Sequence, residues 1–186
     1  MKKVIEFLAD GFEEVEAMAP VDILRRGGVE ITTVSVMDTL MVKSAHGVEM
    51  KADVMFDAAD IENADLLLLP GGMPGATNLK DHSGLRKALM RHNEAGKKIG
   101  AICAAPMVLG DLGLLRGKRA TCYPGFEKFL DGAEYTAELF TIDGNIITGK
   151  GPAAVFPYSY KIAEWFLGEQ AVDDMKAGMI YSELVK

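Results

Sequence analysis

The sequence predicts an α/β fold with a doubly wound, mostly parallel sheet and helices on both faces, as one domain over residues 1–186. Three observations carry this expectation. Runs rich in β-branched residues alternate with stretches whose apolar residues recur at helical spacing. The run Asp65-Leu66-Leu67-Leu68-Leu69 is apolar without alternation, as suits a parallel strand covered on both faces. Glycine and proline close the elements, at Gly27-Gly28 and through 70–75.

Residues 2–8, KKVIEFL, read as the first strand, followed by a loop of small and acidic residues, Ala9-Asp10-Gly11-Phe12. Val15, Met18, Ala19, Ile23 and Leu24 then fall at helical spacing over 13–26, with Pro20 expected to kink the helix. The stretch 29–36, VEITTVSV, alternates and reads as a strand, and 37–60 as short strands and turns around His46-Gly47. After strand 65–69, the PGGMPG loop leads to a helix over 83–95 that Gly96 stops. KKIGAI (97–102) is the next buried strand, and Pro106 sits in the favoured first turn of a helix running to about Leu112. More strand is expected over 118–122 and 139–148, the latter turning at Asp143-Gly144-Asn145, and helices over 153–167 and 169–177.

Composition excludes several classes of function. With 49% hydrophobic residues the chain can build a core without disulfide or metal staples. Its net charge of −7, with no basic cluster, argues against nucleic acid. No apolar run reaches the roughly 18 residues that span a bilayer, so no membrane partner is expected. The opening MKKVIEFLAD, interrupted by Glu6 and Asp10, is too short and charged for a signal peptide, which points to the cytoplasm. His46, His82 and His92 lack the paired spacing of a zinc site, and neither metal nor organic cofactor is expected. His82 and His92 read as surface residues of one helix. Cys103 and Cys122 are not spaced as CxxC, and an isolated cysteine in a reducing compartment is ordinarily a small buried hydrophobe.

Cys103 has a second reading. In Ala101-Ile102-Cys103-Ala104-Ala105 the cysteine sits between a strand and a helix, with alanine two residues before and two after. That is the pattern of a nucleophile elbow, where a strained turn leaves room only for small neighbours. The unpaired amides of the following helix would stabilise a thiolate there. In such sheets ligands bind beyond the carboxyl ends of the strands, where the loop 10–16, the loop 70–75 and the Cys103 turn converge. Gly71 and Gly72 would let the backbone approach a ligand and offer an amide to an oxyanion, or they merely make the turn. Asp10, Glu13, Glu14 and Glu16 are candidate carboxylates for the site, or charges that complement the helix dipole; spacing does not choose among them.

The segments GFEEVEA, PVDILRRGG, LLLLPGGMPGATNL, GAICAAPMVL and TGKGP stand in an order and spacing that resembles the ThiJ/PfpI superfamily, within it the branch of the parkinsonism-associated deglycase. The similarity spans nearly the whole chain. It implies a flavodoxin-like fold shared with class I glutamine amidotransferases, and a homodimer. It also implies that Glu16 is a buried glutamate whose protonated carboxyl hydrogen-bonds the Cys103 sulfur, with the backbone amides of Gly72 and Ala104 as the oxyanion pocket. The sequence departs from the family pattern at three places. Ala104 stands where protease-type members carry histidine, and Tyr123 where some relatives have a histidine near the thiol. His46 replaces an arginine near the dimer interface, as a contact to substrate or partner subunit or as a solvated turn histidine.

The resemblance implies a cysteine-dependent, cofactor-free glyoxalase or deglycase acting on methylglyoxal or its early adducts on amines and thiols. The alternative is a redox-sensing, chaperone-like stress protein with an oxidisable Cys103; Cys122 would then be a resolving thiol, although it reads better as a buried strand residue. A cysteine peptidase is the weaker reading, because Ala104 supplies no base and His46 is the candidate replacement.

Overall fold

A computed structural model describes residues 2–184; Met1, Val185 and Lys186, at the ends of the predicted domain, lie outside the described residues. Lys3–Leu8 forms strand β1, with five of its six positions buried, so it must be covered on both faces. It pairs in parallel with β2 (Glu30–Ser35) on one side and β6 (Leu66–Leu69) on the other. Beyond β6 come β7 (Lys98–Ile102) and β11 (Ile146–Gly149), both parallel, and then β10 (Phe140–Asp143), antiparallel through the turn at Asp143-Gly144-Asn145. β5 (Val54–Met55) closes the opposite edge, giving the seven-stranded order β10-β11-β7-β6-β1-β2-β5. The doubly wound, mostly parallel sheet is thus observed.

Helix α1 (Glu14–Arg26) and helices α5 (Val155–Leu167) and α6 (Glu169–Gly178) cover one face, around Ile23, Leu24, Leu68, Ile102 and Tyr158. Helices α2 (Gly75–Asp81), α3 (Ser83–Glu94) and α4 (Pro106–Asp111) cover the other, around Phe7, Leu67, Leu69, Leu85 and Leu109. A short helix α7 (Tyr181–Leu184) follows α6. The stretch 37–60 holds a separate hairpin, β3 (Met41–Lys43) with β4 (Glu49–Lys51), which folds over Leu8, Phe12 and Ala17. Among the described residues, no helix is long and apolar enough to cross a membrane.

Several expectations need correction. The strand predicted over 118–122 contracts to β8 (Arg119–Ala120) and pairs with β9 (Glu134–Tyr135), outside the main sheet. Helix α2 was not anticipated, because it starts within the glycine-rich loop and contains few strong helix formers. In α1 the predicted core positions Val15 and Met18 are 45% and 36% exposed, whereas Glu16, Ala17 and Pro20 face inward. The small side chains of Ala17 and Ala19 let the helix approach closely, and that rotation carries Glu16 into the interior. Pro20 lies within a helix that continues to Arg26.

The two histidines expected on the surface behave differently. His82 caps α3, its Nδ1 accepting from the Leu85 amide at 3.0 Å while its ring packs on Phe56. His92 is 5% exposed, and burial, helped by Lys97, pushes its imidazole down to about 4. The folded state therefore holds the ring neutral where the unfolded chain would protonate it. The resulting stabilisation is complete above about pH 6.5 and is lost as pH falls through about 4. Wild-type protein is expected to lose roughly 3 kcal/mol across this interval that a His92→Gln variant does not lose, as read from urea unfolding at several pH values. Parallel pH dependences in the two proteins would contradict the buried neutral imidazole.

Candidate active site

β7 ends at Ile102, and the next residue, Cys103, has φ +64°, a left-handed conformation that costs a non-glycine residue about 1–3 kcal/mol. The elbow expected from the small flanking residues is therefore present. Two backbone hydrogen bonds hold it: the Cys103 amide donates to the Gly149 carbonyl at 2.9 Å, and the Tyr123 amide donates to the Cys103 carbonyl at 2.9 Å. The sulfur-bearing residue is 8% exposed. Opposite it lies Gly71, just beyond β6. A methyl group there would lie 2.6 Å from both Cys103 Cβ and Glu16 Oε2, so only glycine fits. Gly72 has φ +86°, and a side chain on it would strike the backbone of Gly11, Phe12 and Glu13. The PGG segment is thus more than a turn; it is the wall of the cysteine pocket.

The four candidate carboxylates separate cleanly. Asp10 accepts from the Lys43 amide at 2.9 Å and fastens the β3–β4 hairpin. Glu13 is the N-cap of α1, accepting from the Glu16 amide at 2.7 Å, while its own amide donates to the Gly71 carbonyl at 3.0 Å. Glu14 points outward and holds His46, with Nδ1 3.0 Å from each carboxyl oxygen. Glu16 is fully buried and accepts from the Gly71 amide through Oε2 at 2.9 Å. Its Oε1 has no hydrogen-bond partner among the described residues. The N-cap role of Glu13 was missed in the sequence, although the residue before a helical run was the place to look.

Burial raises the Glu16 carboxyl to about 7, with the Glu13 charge adding to the rise; the Cys103 thiol and the Gly71 amide oppose it. The thiol itself departs from expectation. Burial first, and then the Glu16 charge, push it up, while the amides of Gly72 and Ala104 pull it down. The helix-terminus effect anticipated from sequence is present in those amides but is outweighed by desolvation beside a carboxylate. A thiolate is favoured here only when Glu16 carries the proton, because the two groups then share a single negative charge.

The remaining candidates lie at the margins. His46 is bound to Glu14 at the outer end of α1, and Glu14 draws its pKa upward. Ligand atoms of Glu13, Glu14 and His46 lie within 4.8 Å of one another, the one group among the described residues with the proximity to hold a metal ion. Tyr123 is 45% exposed and lies against a shallow apolar hollow of about 170 Å³, shared with Pro124, Leu139, Gly151 and Pro152. Since the segments 121–124 and 149–152 are the two that grip the Cys103 backbone, the hollow adjoins the elbow. Cys122 is a free, fully buried thiol in the loop after β8 rather than in a strand, pushed up to about 12 mainly by burial.

Residues 2–165 match the family model described as the DJ-1/PfpI family. Protein dj-1beta of Drosophila melanogaster is 33% identical over 182 residues, covering 96% of this chain and 97% of the relative. A deglycase of Pyrococcus horikoshii is 30% identical over 158 residues, covering 84% and 94%. Protein DJ-1 homolog B of Arabidopsis thaliana is 37% identical over 181 residues, but the chain spans only 41% of that longer protein. Among solved structures, oxidized Toxoplasma gondii DJ-1 superposes with a TM-score of 0.92 at 34% identity, covering 97% of this chain and 98% of the other.

The raised carboxyl carries a prediction. Because the folded-state pKa of Glu16 lies above its unfolded value, its contribution to stability is complete below about pH 4.5 and is lost as pH rises through about 7. Between those limits wild type should lose roughly 3 kcal/mol relative to Glu16→Gln. Urea unfolding of both proteins across this range measures it; a constant difference would mean that Glu16 is ionised at neutral pH without penalty.

Proposed function

The chain belongs to the DJ-1/PfpI family, and from that premise we propose that it is a cysteine-dependent glyoxalase or deglycase using neither metal nor organic cofactor. The observation that carries this reading is the buried Glu16 carboxyl, raised to about 7, beside a cysteine that also faces the Gly72 and Ala104 amides. A proton donor, a nucleophile and two oxyanion donors in one pocket suit addition to an aldehyde. The deglycase of Pyrococcus horikoshii among its relatives supports the same class.

In this scheme Glu16 takes the thiol proton and the Cys103 sulfur adds to the aldehyde carbon of methylglyoxal. The oxygen that becomes negative is received by the Gly72 and Ala104 amides and protonated by Glu16, giving a hemithioacetal. Glu16, now a carboxylate, removes the proton from that carbon and returns it to the neighbouring one, while the hydroxyl proton passes to the former ketone oxygen, leaving a lactyl thioester. Water cleaves the thioester, releasing lactate and restoring the thiol, so the net change is addition of one water. For an adduct on an amine, the amine leaves with a proton delivered by Glu16. Tyr123 and the apolar hollow would seat the carbon skeleton.

A peptidase fits less well, because it needs a base for the thiol and His46 is engaged by Glu14. A redox sensor is the second reading: it would use the same Cys103 thiolate beside a protonated Glu16, and the oxidized Toxoplasma gondii DJ-1 among the similar structures supports it. We also propose a homodimer in which a second copy covers Val15 and Met18 on α1, next to the His46 turn. Sedimentation of a Met18→Glu variant as a monomer would support that face, and an undisturbed dimer would exclude it.

Lactate release from methylglyoxal tests the reaction. Cys103→Ala is expected to reduce turnover to background and Glu16→Gln to lower kcat about 100-fold or more, while both remain folded. Wild-type protein that leaves methylglyoxal and its amine adducts unchanged would refute the proposal, as would full turnover in Cys103→Ala.

A further inference from the structure

The proposed reaction leaves one buried acid unused. Glu6 lies in the middle of β1 at 1% exposure, in a strand whose neighbours are apolar. Its register partner in β6 is Leu68, and Leu68 is in turn aligned with Gly100 in β7. Aligned residues of parallel strands share a face, so Glu6 and Gly100 lie in one row, two strand spacings or about 10 Å apart. The gap is bridged from above by α5. Tyr158 places its hydroxyl oxygen 2.5 Å from where a Gly100 Cβ would be, and its ring edge 3.0 Å from where a Gly149 Cβ would be. Two glycines in neighbouring strands thus make the space for one tyrosine, and they turn its hydroxyl toward the row that contains Glu6.

Each of these groups keeps an oxygen without a partner among the described residues, even though the Glu16 carboxyl also interacts with the Cys103 thiol. Glu6 Oε2, Tyr158 Oη and Glu16 Oε1 are all buried without a hydrogen-bond partner among the described residues. Buried polar atoms in folded proteins are almost always bonded, to protein or to enclosed water, and three orphans on one face of one sheet point to a shared partner. Electrostatics link the same three groups, since the Tyr158 hydroxyl feels Glu6 first among charges and then Glu16. Arg25 acts on the Glu6 carboxyl, Glu13 and Cys103 act on Glu16, and both carboxyls act on the Tyr158 phenol. Arg25 does not neutralise Glu6, because its guanidinium is bound to Asp53 and to the Ile31 carbonyl. Burial raises the Glu6 carboxyl well above its ordinary range, which favours the protonated form that can donate.

We propose that Glu6, Tyr158 and enclosed water form a hydrogen-bonded chain behind Glu16, in which Tyr158 is a positioning residue that sets the pH at which the Glu16–Cys103 pair gives up its first proton. One water joins the Glu6 carboxyl to Tyr158 Oη, and a second accepts from the phenol and donates to Glu16 Oε1. No proton is transferred at rest. The chain stabilises the singly charged state of the pair, so its loss moves the first ionisation to higher pH.

The test reads the thiol directly and does not depend on the aldehyde chemistry. The rate of Cys103 alkylation by iodoacetamide is followed against pH, in a Cys122→Ala background, for wild type, Tyr158→Phe, Glu6→Leu and Glu6→Gln. Tyr158→Phe and Glu6→Leu are expected to shift the lower inflection upward by about half a unit or more, slowing alkylation about twofold at the original inflection and about threefold well below it. Glu6→Gln, which keeps a neutral donor, should retain the wild-type profile. Unshifted profiles in Tyr158→Phe and Glu6→Leu would overturn the proposal. So would a Glu6→Gln profile shifted as far as that of Glu6→Leu. Should the variants fold poorly, an atomic-resolution crystal structure of the wild type decides: a water within hydrogen-bond distance of Tyr158 Oη and Glu16 Oε1 is expected, and direct apolar packing at that point would refute the chain.

Discussion

Everything in the pocket depends on the contact between Gly71 and Cys103. The cysteine can hold a left-handed conformation only because backbone from β11 and from the segment after β8 grips it on two sides. Glu16 can enter the same space only because Gly71 has no side chain. The Gly71 amide then binds the carboxyl, and the Gly71 carbonyl receives the Glu13 amide at the start of α1. One residue without a Cβ therefore ties a strand end, a helix start and the elbow together.

Burial away from water governs the charges in this pocket. It lifts both Glu16 and Cys103, and the amides of Gly72 and Ala104 recover only part of the cost for the sulfur. Placing two acidic groups in one dry space leaves room for one negative charge, so the proton is held in common. A carboxyl near 7 can lose and regain that proton at neutral pH with little driving force in either direction, which is the property a general acid and base requires.

Much of this was legible in the sequence, for identifiable reasons. The four successive leucines of 66–69 declared a doubly covered strand, and they form one. The two alanines around Cys103 announced a tight elbow, and its backbone is strained as expected. By contrast, the run Asp10, Glu13, Glu14 and Glu16 gave no means of ranking its members, because the partners of Asp10, Glu14 and Glu16 lie 32 to 55 residues away and the outcome depends on which face of α1 turns inward. The apolar residues Val15 and Met18 pointed to the wrong face for the same reason. His92 was misjudged because a polar residue at helical spacing in an otherwise mixed helix carries no mark of burial. Helix α2 was hidden by the glycines that open it.

The pocket draws its parts from four stretches far apart along the chain: 11–16, 71–72, 103–104 and 149–151. During synthesis the Cys103 segment leaves the ribosome well before Gly149, whose carbonyl fixes the elbow. Until β11 docks, the Cys103 amide lacks the Gly149 carbonyl that fixes the elbow. Contacts of such long sequence separation form late, since chain closure must be completed before they contribute. The chemistry of the cysteine is consequently a property of the finished molecule alone, and partial unfolding that releases β11 would return it to the behaviour of a free thiol.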